Sequence, residues 1–199
     1  MSLPDLAIHS KRVLQNGEMK DATLYIHEGK IVEIKEGKGD LKSALSFEEV
    51  KDSVVMPGLV DSHVHINEPG RTEWEGFETA TRAAASGGIT TLVDMPLNST
   101  PVTTTVKNLK AKLDAAAGKL YVDCGFWGGI VSGDTSNLEP LINAGVMGFK
   151  AFLTHSGIED FPNTSLKDLE KSAAILKKFN LPLLAHAELD TKHNGLKAF

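Results

Sequence analysis

Two different periodicities divide the chain. Over residues 5–56 apolar and polar positions alternate in short runs, DLAIHSKRVL and DATLYIHEGKIVEIKEG, punctuated by Asn16-Gly17 and by Glu28-Gly29-Lys30. Alternation interrupted by Asn-Gly is the strongest short-range hairpin signal, so a small β module is expected first. From residue 53 the texture becomes apolar run, glycine-containing turn and amphipathic stretch, several times over. SVVMPGLVDSHVHI (53–66) predicts one strand region, TEWEGFETATRAAASG (72–87) a helix stopped by Gly87-Gly88, and ITTLVDM (89–95) the next strand. A helix over 103–119 with a threonine cap and Gly118 as its stop, then a strand over 120–131, follow. A short helix (137–145), a strand (146–153), a helix capped by Ser165 (165–180) and a strand (181–189) complete the pattern. Five strands alternating with helices predict right-handed βαβ units, a parallel sheet and the α/β class.

With 199 residues, 41% of them apolar and 24% charged, the composition is that of a globular protein able to bury a core. A disulfide-stapled miniprotein is excluded. The formal charge of -5 is spread in both signs, without a block of Lys or Arg, so neither a nucleic-acid footprint nor a polybasic membrane anchor is expected. The single cysteine, Cys124, lies in an apolar run and reads as a buried, inert thiol in a reducing compartment. MSLPDLAIHSKRVL carries neither an apolar signal core nor an Arg/Ser-rich transit pattern, and no apolar stretch reaches ~18 residues. The expectation is a cytoplasmic protein acting on a small molecule, with an organellar location left open.

Candidate chemistry concentrates on three of the expected strands. His63 and His65, two apart on one strand, project from the same face and supply two borderline-soft nitrogens. His186 closes the strand LPLLAH; alone it would be an ordinary strand-end histidine. Lys150, in GVMGFKAF, is a charged amine on an apolar strand. Either a carboxylate pairs with it, or burial depresses its pKa until the neutral amine can add carbon dioxide. The resulting carbamate would offer two oxygens to bridge two cations. All four residues are expected near the C-terminal ends of parallel strands, where ligands and catalysis concentrate in α/β sheets.

PGLVDSHVHINEPGRTEWEGFETATRAAASGGITTLVDMPLNSTP (57–101), GFKAF (148–152) and LPLLAHAE (181–188) together resemble the cyclic amidohydrolases. The resemblance implies an incomplete (β/α)8 TIM-type barrel of about five strand–helix units over 57–199, with a small β-sandwich portion over 1–56. It implies two divalent metal ions, zinc by expectation: His63 and His65 on one, His186 on the other, and Lys150 carrying carbon dioxide as a bridging carbamate. It also implies opening of the hydantoin ring of allantoin to allantoate by metal-activated hydroxide, and a homo-oligomer that is tetrameric in full-length members. A further metal-binding histidine and a proton-transferring aspartate belong to later strands of the family. Neither Asp190 nor His193 has the context to replace them, so the general acid–base is expected beyond residue 199.

Substrate preference in this family is read after His-x-His, where dihydroorotases usually carry an arginine that grips a carboxylate. Asn67 stands there instead and suits a ring rich in amide donors and acceptors. Asn98 is a second polar candidate, and His155 and Ser156 are candidates for lining the pocket; turn or loop roles compete for all four. Arg71 reads as a loop charge. Dihydroorotase and hydantoinase or dihydropyrimidinase chemistry are the enzymatic alternatives. A non-catalytic scaffold and a truncated, inactive isoform are the others, the isoform leaving an open edge at its fifth strand.

Overall fold

The computed structural model describes residues 3–133 and 135–188, which fall into two units, one up to Pro57 and one from Gly58. In the first unit β1 (Leu6–Gln15), β2 (Glu18–His27) and β3 (Lys30–Glu36) form an antiparallel meander. Its two turns are made where the alternation breaks. Asn16 and Gly17 take φ of 50° and 84°, as a two-residue primed turn requires. β4 (Ser46–Glu49) and β5 (Val54–Val55) lie one after the other along β1, both parallel to it, beside Leu6–His9 and Arg12–Val13.

In the second unit β6 (Leu59–Val64), β7 (Ile89–Asp94) and β8 (Asp123–Phe126) form one parallel sheet; β9 (Gly128–Gly129), β10 (Phe149–Phe152) and β11 (Leu183–His186) form another. Trp127 alone separates β8 from β9, and its N–H donates to Asp94 O at 2.9 Å. The segment thus pairs with β7 on one side and β10 on the other. Four helices connect the strands: α1 (Phe77–Ser86), α2 (Val106–Ala116), α3 (Leu138–Asn143) and α4 (Leu166–Lys178). Thr105 and Ser165 cap α2 and α4 through their hydroxyls, and Gly87 closes α1, as expected.

The strand pleat sorts side chains onto two faces. Leu92, Phe149 and Ala151 join a core with Phe77, Leu109, Leu141 and Leu176 from the helices. Val93, Met95, Trp127, Phe152 and Phe161 form a second cluster on the other face. Lys150 alternates with Phe149 and Ala151 and so shares the face of Phe152.

Several expectations are corrected here. The region 53–66 is two strands, because Pro57 offers no N–H and the chain changes partners around it. The run 120–131 divides at Trp127 for the same reason of partner exchange. The helix expected from residue 72 starts at Phe77, after a turn-rich loop. His65 stands one residue beyond β6, and Lys150 is second of the four residues of β10 rather than at its end. Cys124 is half-buried; burial pushes its thiol up to about 12, which leaves it protonated. Leu189, Asp190 and His193 lie outside the described residues. Among the described residues, no helix is long and apolar enough to cross a membrane.

Candidate metal centre

His63 on β6 and His65 just after it keep the same-face relation that the alternation predicts: their ring centroids are 5.5 Å apart, tilted by 50°. His65 Nδ1 lies 2.7 Å from Leu97 O. A carbonyl only accepts, so Nδ1 carries the proton and the lone pair of the neutral ring sits on Nε2. This is the arrangement by which a backbone carbonyl orients a metal-binding imidazole. Desolvation, then the charges of Lys150 and His65, hold His63 below the usual histidine range. Desolvation does the same for His65, against the raising effect of its Leu97 hydrogen bond. Both rings are therefore biased toward the neutral, ligating form.

Lys150 is 4% exposed, and among the described residues no carboxylate pairs with it. Its Nζ instead lies 5.1 Å from the centroid of the Phe152 ring. Burial lowers the amine's pKa. The carboxylate-paired alternative finds no partner among the described residues. Phe152 also stacks on His186, its register partner across β10 and β11, at 4.8 Å and 17°. His186 Nε2 lies 2.9 Å from Glu188 Oε1. Lys150, Phe152 and His186 are in this way joined through one ring.

Among the described residues, no three His, Cys, Asp or Glu side chains gather closely enough to hold a metal ion. The donor chemistry nonetheless fits one: two neutral-biased imidazoles, one with its tautomer set, and a buried amine without an acidic partner.

The other candidates divide. Asn67 is buried and its Oδ1 has no hydrogen-bond partner, an acceptor left free for a ligand. Asn98 is half-buried, and its carbonyl accepts from Arg71 at 3.3 Å. Ser156 donates to Phe161 O at 2.6 Å, and His155 Nδ1 accepts from Gly157 N at 3.0 Å, so both hold their own loop together. Arg71 sits over Trp74, 5.1 Å from its ring centroid.

Two residues beside the histidines carried no sequence signal. Asp94, at the end of β7, and Lys112, on α2, are fully buried and paired at 2.6 Å. Burial pushes the Asp94 carboxyl up to about 6, against the pull of Lys112. Lys112 falls three residues after Leu109 and four before Ala116 on the buried face of α2, a position that a lysine disguises. Glu68, also buried, accepts from Phe77 N at 2.9 Å at the start of α1 and pairs with Lys119. A carboxylate there complements the helix dipole and anchors the loop after His65.

A curated allantoinase from Streptomyces avermitilis is 49% identical over 188 residues, 94% of this chain and 42% of that protein. A probable allantoinase from rice, Oryza sativa, is 52% identical over 187 residues, 91% of this chain and 36% of that protein. The chain thus spans about two fifths of the length of the curated relatives it matches. Among solved structures, L-hydantoinase (dihydropyrimidinase) from Arthrobacter aurescens superposes with a TM-score of 0.86 at 28% identity, over 94% of this chain and 41% of that one. Residues 54–198, the whole strand–helix region and the paired histidines within it, match the model of the Amidohydrolase family, and the chain belongs to that family.

Proposed function

We propose that this chain carries most of the metal-binding residues of a cyclic-amide hydrolase that opens allantoin to allantoate. The observation that carries the reading is a buried lysine with no acidic partner among the described residues, in the same unit as a His-x-His pair whose second ring is held by a carbonyl. Allantoinases that cover nearly all of this chain at about half identity favour allantoin as the substrate. The Arthrobacter hydantoinase supports a second reading, a hydantoinase or dihydropyrimidinase acting on a related ring.

In this reading His63 and His65 hold one divalent cation, His186 a second, and Lys150 both. Two such ions, zinc by expectation, would supply Lewis acidity and lower the pKa of nearby water. The neutral Lys150 amine would take up carbon dioxide by attack of its nitrogen lone pair on carbon, with loss of one proton, giving two carboxylate-like oxygens. The lowered pKa of the amine favours that uptake. Asn67 Oδ1 would accept from a ring or ureido N–H, with Asn98, His155 and Ser156 as further contacts. The general acid–base role falls to none of these residues. The parallel strands β6–β11 are read as part of an incomplete (β/α)8 barrel over 57–199, and the meander over 1–56 as a sandwich portion.

The test combines elemental analysis with allantoate formation. The chain purified with zinc should hold about two ions, as the two-metal reading requires. Lys150→Ala should lose at least half of the bound metal, partly restored by acetate or another short carboxylate. Wild-type metal content in that variant would sink the carbamate role. Faster opening of hydantoin or dihydrouracil than of allantoin would move the assignment to the second reading.

A further inference from the structure

A buried ion pair is an expensive way to stabilise a fold, because apolar residues of similar volume serve as well or better. Asp94 and Lys112 must therefore be considered for what they hold. Asp94 Oδ1 accepts the Ile66 N–H at 2.7 Å, on the residue that follows His65. On the other side of His65, Val64 O accepts from Met95 N at 2.7 Å. The His65 ring donates to Leu97 O, three residues beyond Asp94. Residues 94–97 thus grip His65 by the main chain on both sides and by its ring. Lys112 Nζ donates to Asp94 Oδ2 at 2.6 Å and to Met95 O at 2.9 Å, fixing the gripping segment to α2. The three bonds made by Asp94 and Lys112 side chains are buried, where hydrogen bonds are strong and their loss is uncompensated by water.

We infer that the Asp94–Lys112 pair is a positioning device for His65, with Asp94 Oδ1 clamping the Ile66 amide and Lys112 clamping Asp94. Neither side chain is among the proposed ligands; they act through His65. The functional meaning rests on the metal-binding reading above, but the clamp itself can be judged in the metal-free chain.

Two double variants isolate the acceptor at position 94 after the charges are removed together. Asp94→Asn/Lys112→Met keeps an oxygen facing Ile66, whereas Asp94→Leu/Lys112→Met does not. The readouts are the imidazole 15N spectrum of His65 and Co2+ titration followed by its d–d absorption. In the asparagine variant, His65 should keep its single Nδ1–H tautomer and Co2+ affinity should stay within about threefold of wild type. In the leucine variant the tautomers should mix and affinity should fall about 10–100-fold, the range for residues that orient metal ligands. Identical behaviour of the two overturns the inference. If the leucine variant does not fold, the wild-type chain decides alone: the scalar coupling across the hydrogen bond from Ile66 15N to the Asp94 carboxyl carbon must be present, and its absence is equally decisive. A wild-type chain that binds no Co2+ defeats the metal reading, while the His65 spectrum still tests the clamp.

Discussion

Lys150 has no neutralising partner among the described residues. It is nearly inaccessible, faces an aromatic ring, and its amine titrates below the ordinary lysine value of 10.5 because burial disfavours its charge. In the window between its folded pKa and that value the unfolded chain binds more protons, so stability rises with pH there. The charged amine therefore costs stability at neutral pH, and the cost fades as pH approaches 10.5. In chain stripped of metal by chelation, Lys150→Met should be more stable than wild type at pH 7 by about 1 kcal/mol, or about 2–4 °C in Tm. That gain should shrink as pH rises from the folded pKa toward 10.5. Thermal melts across this range check it, and a pH-independent loss of stability would contradict it. Residue type and spacing marked Lys150, His63 and His65 in advance, because a charge on an apolar strand and an i, i+2 pair are visible in one dimension. Asp94 was invisible: an aspartate after Leu-Thr-Val-type residues reads as the end of a strand, and only its bonds to Ile66 and Lys112 show its use.

At the level of the element, local signals located the caps of α2 and α4 and the glycine stop of α1, because caps are made by neighbours in sequence. The start of α1, by contrast, falls five residues after the predicted one. Ser165 Oγ accepts the Asp168 N–H at 3.1 Å, satisfying one of the orphan donors of α4. Ser165→Ala should cost about 1 kcal/mol, seen as a drop of about 2–4 °C in Tm; no change would mean the cap contributes nothing. Strand boundaries were harder. Apolar composition continues across 53–66 and 120–131, whereas hydrogen-bond partners change within them, at Pro57 and Trp127. Packing sets a second constraint on β9. A Cβ at Gly128 would stand 2.6 Å from Phe149 Cε1, whose ring is fully buried and cannot yield. Gly128→Ala should therefore destabilise by about 1–3 kcal/mol through overpacking. Denaturant melts with an unchanged midpoint would show that the ring moves aside.

For the whole molecule, metal and fold should be linked. The proposed ligands lie on or next to β6, β10 and β11, far apart in sequence but in one folded unit, so a metal that binds them as proposed binds the native state preferentially. Zinc at a hundred times its Kd should add about 2.7 kcal/mol of stability, and chelation should remove it. The same titration on His65→Ala should give a clearly smaller rise in Tm. Equal rises would place the metal elsewhere.

Read alone, the sequence showed the change from β meander to strand–helix alternation, the succession of helices and apolar strand regions, and which residue types could carry chemistry, though not where 53–66 and 120–131 divide. These are consequences of side-chain period, turn residues and caps, all of which act over a few positions. Only in three dimensions is it settled which strands pair, that Lys150 meets an aromatic ring and no carboxylate among the described residues, that the His65 Nδ1–H is taken by Leu97 O, and that Asp94 bonds to Ile66 and Lys112. The bonds that hold His65 join residues 18 to 32 positions apart, and the free energy that selects them comes from burial, which no local pattern encodes.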